Sequence, residues 1–233
     1  MKRMDQDTDR RAARPLGRTA WPCGPRLALL TLLALLGGCG ATQFQVQSEI
    51  PEPLVTRIPV VVGFHLPAAF REAVHREERD GVEYVIEIGS AQVAGFGRLM
   101  NAMFTRSVAV SAPAAAAATD PEIRGVLEPV LEDFSFVTPR DTGTPLYAVS
   151  LKYRINAYRP DGTFVDSWSF TGYGTQAGSS VPGQGKGILQ KAAAVAMRDA
   201  GAKIAVEMRE QAIVRGLIEA PEGAQPREIQ PPP

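Results

Sequence analysis

The sequence predicts an α+β fold: a two-layer sandwich in which a mixed, mainly antiparallel sheet carries a long C-terminal helix and one internal helix on one face. Three observations predict it. First, "YAVSLKYRINAY" (147–158) alternates: Tyr147, Val149, Leu151, Tyr153 and Ile155 share one side, while Ser150, Lys152, Arg154 and Asn156 share the other. That is the period of a half-buried strand. Second, "RPDG" (159–162) supplies a turn, since proline presets φ, aspartate caps and glycine accepts positive φ. "TFVDSWSFTGYGTQ" (163–176) then returns as the second strand of a hairpin. Third, residues of about 187–215 place Leu189, Ala193, Ala196/Met197, Ala200, Ile204, Met208 and Ala212 at helical spacing. A stripe of small residues lets such a helix lie close to a sheet.

The other elements follow in chain order. "RIPVVVGFHL" (57–66) is a continuous β-branched run and predicts a buried strand. "AAFREAVHREE" (68–78) fits either a short helix or an extended partner. "VEYVIEIG" (82–89) alternates Val82, Tyr84, Ile86 and Ile88 against Glu83, Val85 and Glu87, the pattern of a strand. Ser90 stands where an N-cap belongs, and Val93, Phe96, Leu99/Met100 and Met103/Phe104 give an amphipathic helix over 91–104. "SVAVSAP" (107–113) predicts a strand closed by Pro113, followed by an alanine-rich loop at 114–118. In "IRGVLEPVLEDFSFV" (123–137) the apolar positions switch parity near Glu132-Asp133, which predicts a bulge, and Pro129 predicts an edge strand. A glycine- and serine-rich loop (177–187) leads into the last helix. Two helices on one face of such a sheet complete the sandwich.

The ends of the chain read differently from its middle. Residues 1–38 hold seven basic residues (Lys2, Arg3, Arg10, Arg11, Arg14, Arg18, Arg26) against Asp5, Asp7 and Asp9, followed by the apolar run Leu27 to Leu36 and two glycines. A basic leader, a short apolar stretch and a small-residue cleavage site describe a secretory signal peptide. The run is shorter than the ~20 residues that a spanning helix needs. Residues 39–57 read as a polar tether, 58–217 as a single domain, and "IEAPEGAQPREIQPPP" (218–233) as a proline-rich tail that cannot bury a core. The whole chain has a formal net charge of zero, and removing the leader leaves the remainder near −4. That balance argues against a nucleic-acid partner, which calls for a clustered basic face.

Leu36-Gly37-Gly38-Cys39 resembles the lipobox of bacterial lipoproteins. The resemblance implies cleavage before Cys39 and acylation, palmitate included, of its thiol and new amino group. Two or more chains make membrane attachment stable where one does not. Gly40, in place of an aspartate, implies an outer-membrane address facing the periplasm. Cys23 leaves with the leader and Cys39 is consumed by lipid, so no thiol is left for a disulfide or a nucleophile. The order of elements over most of 57–215, with "IPVVVGFH" first and "KAAAVAMRDAGAKIAVEMRE" last, resembles YajG-like lipoproteins. More distantly it resembles CsgG-like and peptidoglycan-synthase-activator lipoproteins. Only Cys39 carries over from these families as a functional residue.

Catalytic signals are sparse. The two histidines, His65 and His75, lack zinc-site spacing, no G-x-S-x-G is present, and "GSSVPGQGKG" (178–187) departs from the phosphate-binding loop pattern. Glu132 and Asp133 are neighbours on one strand and point apart. No catalytic residue, metal or cofactor is therefore expected. The hairpin aromatics Tyr147, Tyr153, Tyr158, Trp168 and Tyr173 are candidate interface residues, with cross-strand core pairing as the other reading. These features together predict a non-enzymatic binding or assembly subunit of the cell envelope, contacting an envelope protein or further copies of itself. The alternative is a carrier with an apolar pocket between sheet and helices. A hydrolase would need His65 or His75 beside a serine or carboxylate.

Overall fold

In the computed structural model, residues 41–47, 51–179, 183–214 and 216 are described. The leader, Cys39 and the tail from 218 lie outside them. Strand β1 (Thr42–Gln45) is followed by β2 (Ile58–Phe64), the short helix α1 (Ala68–Arg71), β3 (Val74–Arg79) and β4 (Val82–Glu87). Helix α2 (Gly89–Met103) runs directly into β5 (Phe104–Ala109). Next come a 3₁₀ turn, α3 (Ala116–Thr119), β6 (Ile123–Val137), α4 (Pro139–Thr142), β7 (Leu146–Tyr158), β8 (Phe164–Ala177) and α5 (Gly185–Val214). The α+β sandwich is as the sequence predicts. Its strands, however, divide into two sheets, β1-β4-β3 and β5-β2-β6-β7-β8.

The larger sheet is mixed: β2 runs parallel to both β5 and β6, and β6, β7 and β8 are antiparallel. Its inner face is the main core. Val149, Leu151, Tyr153 and Ile155 of β7 stand beside Trp168 and Phe170 of β8 and Phe134 and Phe136 of β6. Helix α2 meets this face through Phe96, whose ring lies 5.2 Å from Tyr153 and 5.3 Å from Phe70 of α1. The stripe on α5 is buried as predicted, from Leu189 through Ala193, Ala196, Met197 and Ala200 to Ile204 and Met208. The helix comes down onto Gly172 and Gly174 of β8. A Cβ at Gly174 would overlap the carbonyl oxygen of Ala192, and one at Gly172 would overlap that of Ala196. On the opposite face a small satellite core of Val110, Ala116, Ile123 and Val126 packs under the 3₁₀ turn and α3.

Several local expectations change. Residues 42–45 do not belong to a tether: β1 pairs in parallel with β4, and Phe44 and Val46 are buried. The ambiguous 68–78 segment is both things at once, α1 followed by β3. Helix α2 begins at Gly89, one residue before Ser90, and its N-cap position is Ile88, with no side-chain cap. Ser90 instead accepts a 2.6 Å hydrogen bond from Gln45 of β1. The start is fixed by packing, because Gly89 sits against the Arg71 carbonyl where a Cβ would not fit. The alanine run forms the 3₁₀ turn and α3 rather than a loop.

The bulge in β6 is present. Leu131 pairs with Tyr153 and Asp133 with Lys152, so Glu132 is the extra residue. Pro129 is not on an edge strand, since β6 lies between β2 and β7. The pairing with β2 ends at Leu127, so the missing N–H of Pro129 removes no bond to β2. The "RPDG" turn closes as expected: Gly162 has φ 87° and donates to the Arg159 carbonyl at 2.9 Å, and Asp161 accepts from Thr163 N–H at 2.8 Å.

Candidate functional site

Alternation along β6, β7 and β8 puts their polar residues on the outer face of the large sheet, and that face forms two clusters. In the first, Glu128 of β6 accepts hydrogen bonds from Asn156 Nδ2 and the Tyr158 hydroxyl of β7, each at 3.0 Å. His65, just beyond β2, places Nε2 3.6 Å from the same carboxylate, while its Nδ1 meets the Val110 carbonyl at 3.1 Å. Burial raises the Tyr158 pKa, and the hydrogen bond to Glu128 adds to this, so the phenol stays a donor. In the second cluster the bulge turns Glu132 toward Lys152 at 3.0 Å and Arg154 at 2.8 Å, with Ser169 Oγ at 3.3 Å. Lys152 leads the causes that hold the Glu132 carboxyl below its usual range.

The outer edge of β8 meets side chains of α5. Lys203 Nζ donates to the Thr171 carbonyl at 2.7 Å, and Tyr173 N–H donates to Asp199 at 2.9 Å. Lys203 and Asp199 pair with each other at 2.7 Å. Burial pushes the Asp199 carboxyl up, but Lys203 and the Tyr173 amide outweigh it and the net shift is downward. Side chains thus use two outward-facing backbone groups of this edge, which blunts it against strand addition there.

The five aromatic candidates separate. Tyr153 is fully buried and its hydroxyl has no partner among the described residues, so burial drives its pKa upward. Trp168 is also in the core. Both therefore take the core-pairing reading. Tyr147 is half-buried at the start of β7, and Tyr158 is half-buried with its hydroxyl on Glu128. Tyr173 is 61% exposed. Phe164, outside the candidate set, is 54% exposed beside Val165 at 37%, and its ring meets Tyr158 edge-on at 5.7 Å. Nothing in the sequence separates Phe164 from the core aromatics except its place beside the turn.

Among the described residues neither histidine has a hydroxyl group as a hydrogen-bond partner. A relay needs one ring nitrogen on a carboxylate and the other on the nucleophile. In His65 the second nitrogen is taken by a backbone carbonyl. His75 faces Glu77 at 3.1 Å and lies on the rings of Phe134 and Phe136. Among the described residues no cluster of three metal-ligating side chains occurs, and no helix is long and apolar enough to cross a membrane.

Surface clefts lie at the two ends of the sheet. One, of about 740 Å³, is lined by Phe64, His65, Arg71, Val93 and Val110 where β2 and β5 end. Another, of about 450 Å³, lies at the opposite end, between Thr42, Tyr84, Arg140, Tyr147 and Lys186. At Gly172 and Gly174 the backbone of α5 lies directly on β8 and leaves no room for a ligand at those two positions, while an apolar cleft of about 310 Å³ opens farther along α5 between Ile58, Met103, Val206 and Met208.

No family model matches the chain, and no curated protein matches it. Among solved structures it is similar to a Xanthomonas campestris protein of the DUF330 family, at 11% identity and TM-score 0.40, over 76% of this chain and 96% of that one. It is similar to a candidate lipoprotein from Caulobacter crescentus at 12% identity and TM-score 0.32, over 42% and 76% of the two chains. A third is a candidate neuraminyllactose-binding hemagglutinin homolog from Helicobacter pylori, at 8% identity and TM-score 0.38, over 74% and 97%.

Proposed function

We propose that the chain is a lipid-anchored envelope lipoprotein, held at the periplasmic face of the outer membrane through Cys39, whose domain works by binding a protein partner rather than by catalysis. One observation carries the binding part. The large sheet is closed by packing on its inner face, while its outer side and turn present Tyr158, Phe164, Val165 and Tyr173 around charged clusters. Aromatic residues of this kind favour interfaces. The contact of α5 with Gly172 and Gly174 supports surface recognition over carriage of an apolar ligand between that helix and β8.

A photo-crosslinking residue placed at Phe164 or Tyr173 in the acylated protein, in native membranes, tests this reading. The same discrete adduct is expected from both positions and none from Ala118. Equal, diffuse labelling at all three positions would remove the interface. Cys39→Ser is expected to release the protein from the membrane fraction, and retention of that variant would remove the anchor.

A further inference from the structure

The anchor and the fold lie closer together than the sequence suggests. Strand β1 starts at Thr42, so three peptide steps separate it from Cys39. A chain that short spans at most about 11 Å. It cannot lift the domain clear of the lipid that holds Cys39, and so the end of the domain that carries Thr42 is the end that meets the bilayer.

That end has the surface chemistry for it. Thr42 lines the cleft with Tyr84, Tyr147, Arg140 and Lys186, and no acidic residue among the described residues lines it. Arg140 and Lys186 are both exposed and make no ion pair among the described residues. The acid beside Arg140 is engaged elsewhere, since Asp141 takes Thr138 N–H and Arg79. Lys186 stands in the first turn of α5, which holds no acidic residue. The helix macrodipole favours a carboxylate at that position over a cation, so the lysine is there at a small local cost. Tyrosines beside the cations match the water–lipid boundary, where amphipathic rings reside.

We propose that the Thr42 end of the domain, through Arg140 and Lys186, seats directly on an anionic phospholipid surface. The inference rests on the Cys39 anchor proposed above. Its consequence is a fixed orientation. Strand β7 rises from Tyr147 at this end to Tyr158 at the other, roughly 36 Å at strand spacing. Phe164, the "RPDG" turn and the cleft at His65 are thereby held away from the membrane.

The mature acylated protein, carrying Gln184→Cys near the lipid or Ala118→Cys at the far end, is labelled with a donor dye at that one free thiol. It is reconstituted into phosphatidylglycerol–phosphatidylethanolamine vesicles that contain a headgroup acceptor dye. Acylation of Cys39 is measured by mass in the same samples. Energy transfer is expected to be several-fold stronger from position 184 than from 118. The difference should shrink in Arg140→Glu/Lys186→Glu, in high salt, and in purely zwitterionic vesicles. Equal transfer from both positions in a protein that is acylated and floats with the vesicles overturns the seating and leaves the anchor intact. A difference that ignores the double substitution overturns the part given to the two cations. An unacylated Cys39 overturns the anchor, and the seating with it. Both substituted residues are exposed, and an unchanged melting curve confirms that the variant is folded.

Discussion

Helix α5 and the small sheet cover the same face of the large sheet by opposite means. The helix does so by subtraction: Gly172 and Gly174 bring its backbone against β8, with alanines opposite. The small sheet does so with large rings. Tyr84 lies 4.9 Å from Phe136, His75 lies 4.9 Å from Phe134, and the Arg79 guanidinium sits 4.2 Å above Phe136 while donating to its carbonyl at 2.8 Å. The first contact has no spare volume at its two glycines, and its titrating pair, Asp199 and Lys203, lies at the edge of β8. The second is bulky, rimmed by Glu77, Arg79 and Asp141, and open to solvent along β3. The two contacts should therefore fail under different perturbations, one under added atoms and the other under removed rings or added protons.

The sharpest break is expected at the helix contact. Gly174→Leu has nowhere to place its side chain without moving backbone, and overpacking of that kind should cost upward of about 4 kcal/mol. Chemical denaturation should show loss of folded protein. An unchanged midpoint would mean that α5 is not seated as described. At the small sheet the largest loss should come from removing volume: Phe136→Ala is expected to cost about 3–4 kcal/mol. Because the rim can partly collapse, hydrogen exchange should report loosening of β3 and β4 with α5 still protected. Simultaneous loss of protection in both would show that the two contacts are not separable.

The mildest test is pH. The hydrogen bond from Arg79 lowers the Glu77 pKa, and the Thr138 backbone hydrogen bond lowers that of Asp141. Carboxyls depressed in the folded state contribute stability that is complete above their unfolded pKa, about 4, and that is lost as pH falls through the folded value. Protection of β3 should therefore decline below about pH 4 before that of the buried face of α5. Glu77→Gln should flatten the β3 profile, and an unaltered profile would assign the acid sensitivity elsewhere.

What the sequence displays and what it hides follow from the range of the interactions. The β7–β8 hairpin, the β6 bulge and the alanine stripe of α5 are written in period and turn chemistry, and each is where it was expected. Strand β1 left only a faint trace, Phe44 and Val46 alternating with Gln43, Gln45 and Gln47, and the sequence reads as a tether there. Its four-residue length is too short for that period to stand out from the polar residues around it. The division into two sheets was not visible, since it depends on which edges meet across the chain. The same holds for both outer-face clusters. Glu128 finds His65 from one side and Tyr158 from the other, and Glu132 reaches Lys152 and Arg154 only because the bulge turns it. The cleft of Tyr84, Arg140 and Lys186 gathers three segments that no local spacing connects.

Strand β1 gives a last consequence, a mechanical one. It pairs in parallel with β4 from Thr42 against Tyr84 to Gln45 against Glu87. If lipid holds Cys39 as proposed, a partner pulling on the far end of the domain would load β1 from its first residue, along its own axis. Under that tension the rungs of the ladder share the load and must slide together, instead of opening one after another as in a peeled edge. The four-residue strand would then serve as the fastening between the membrane and the folded body.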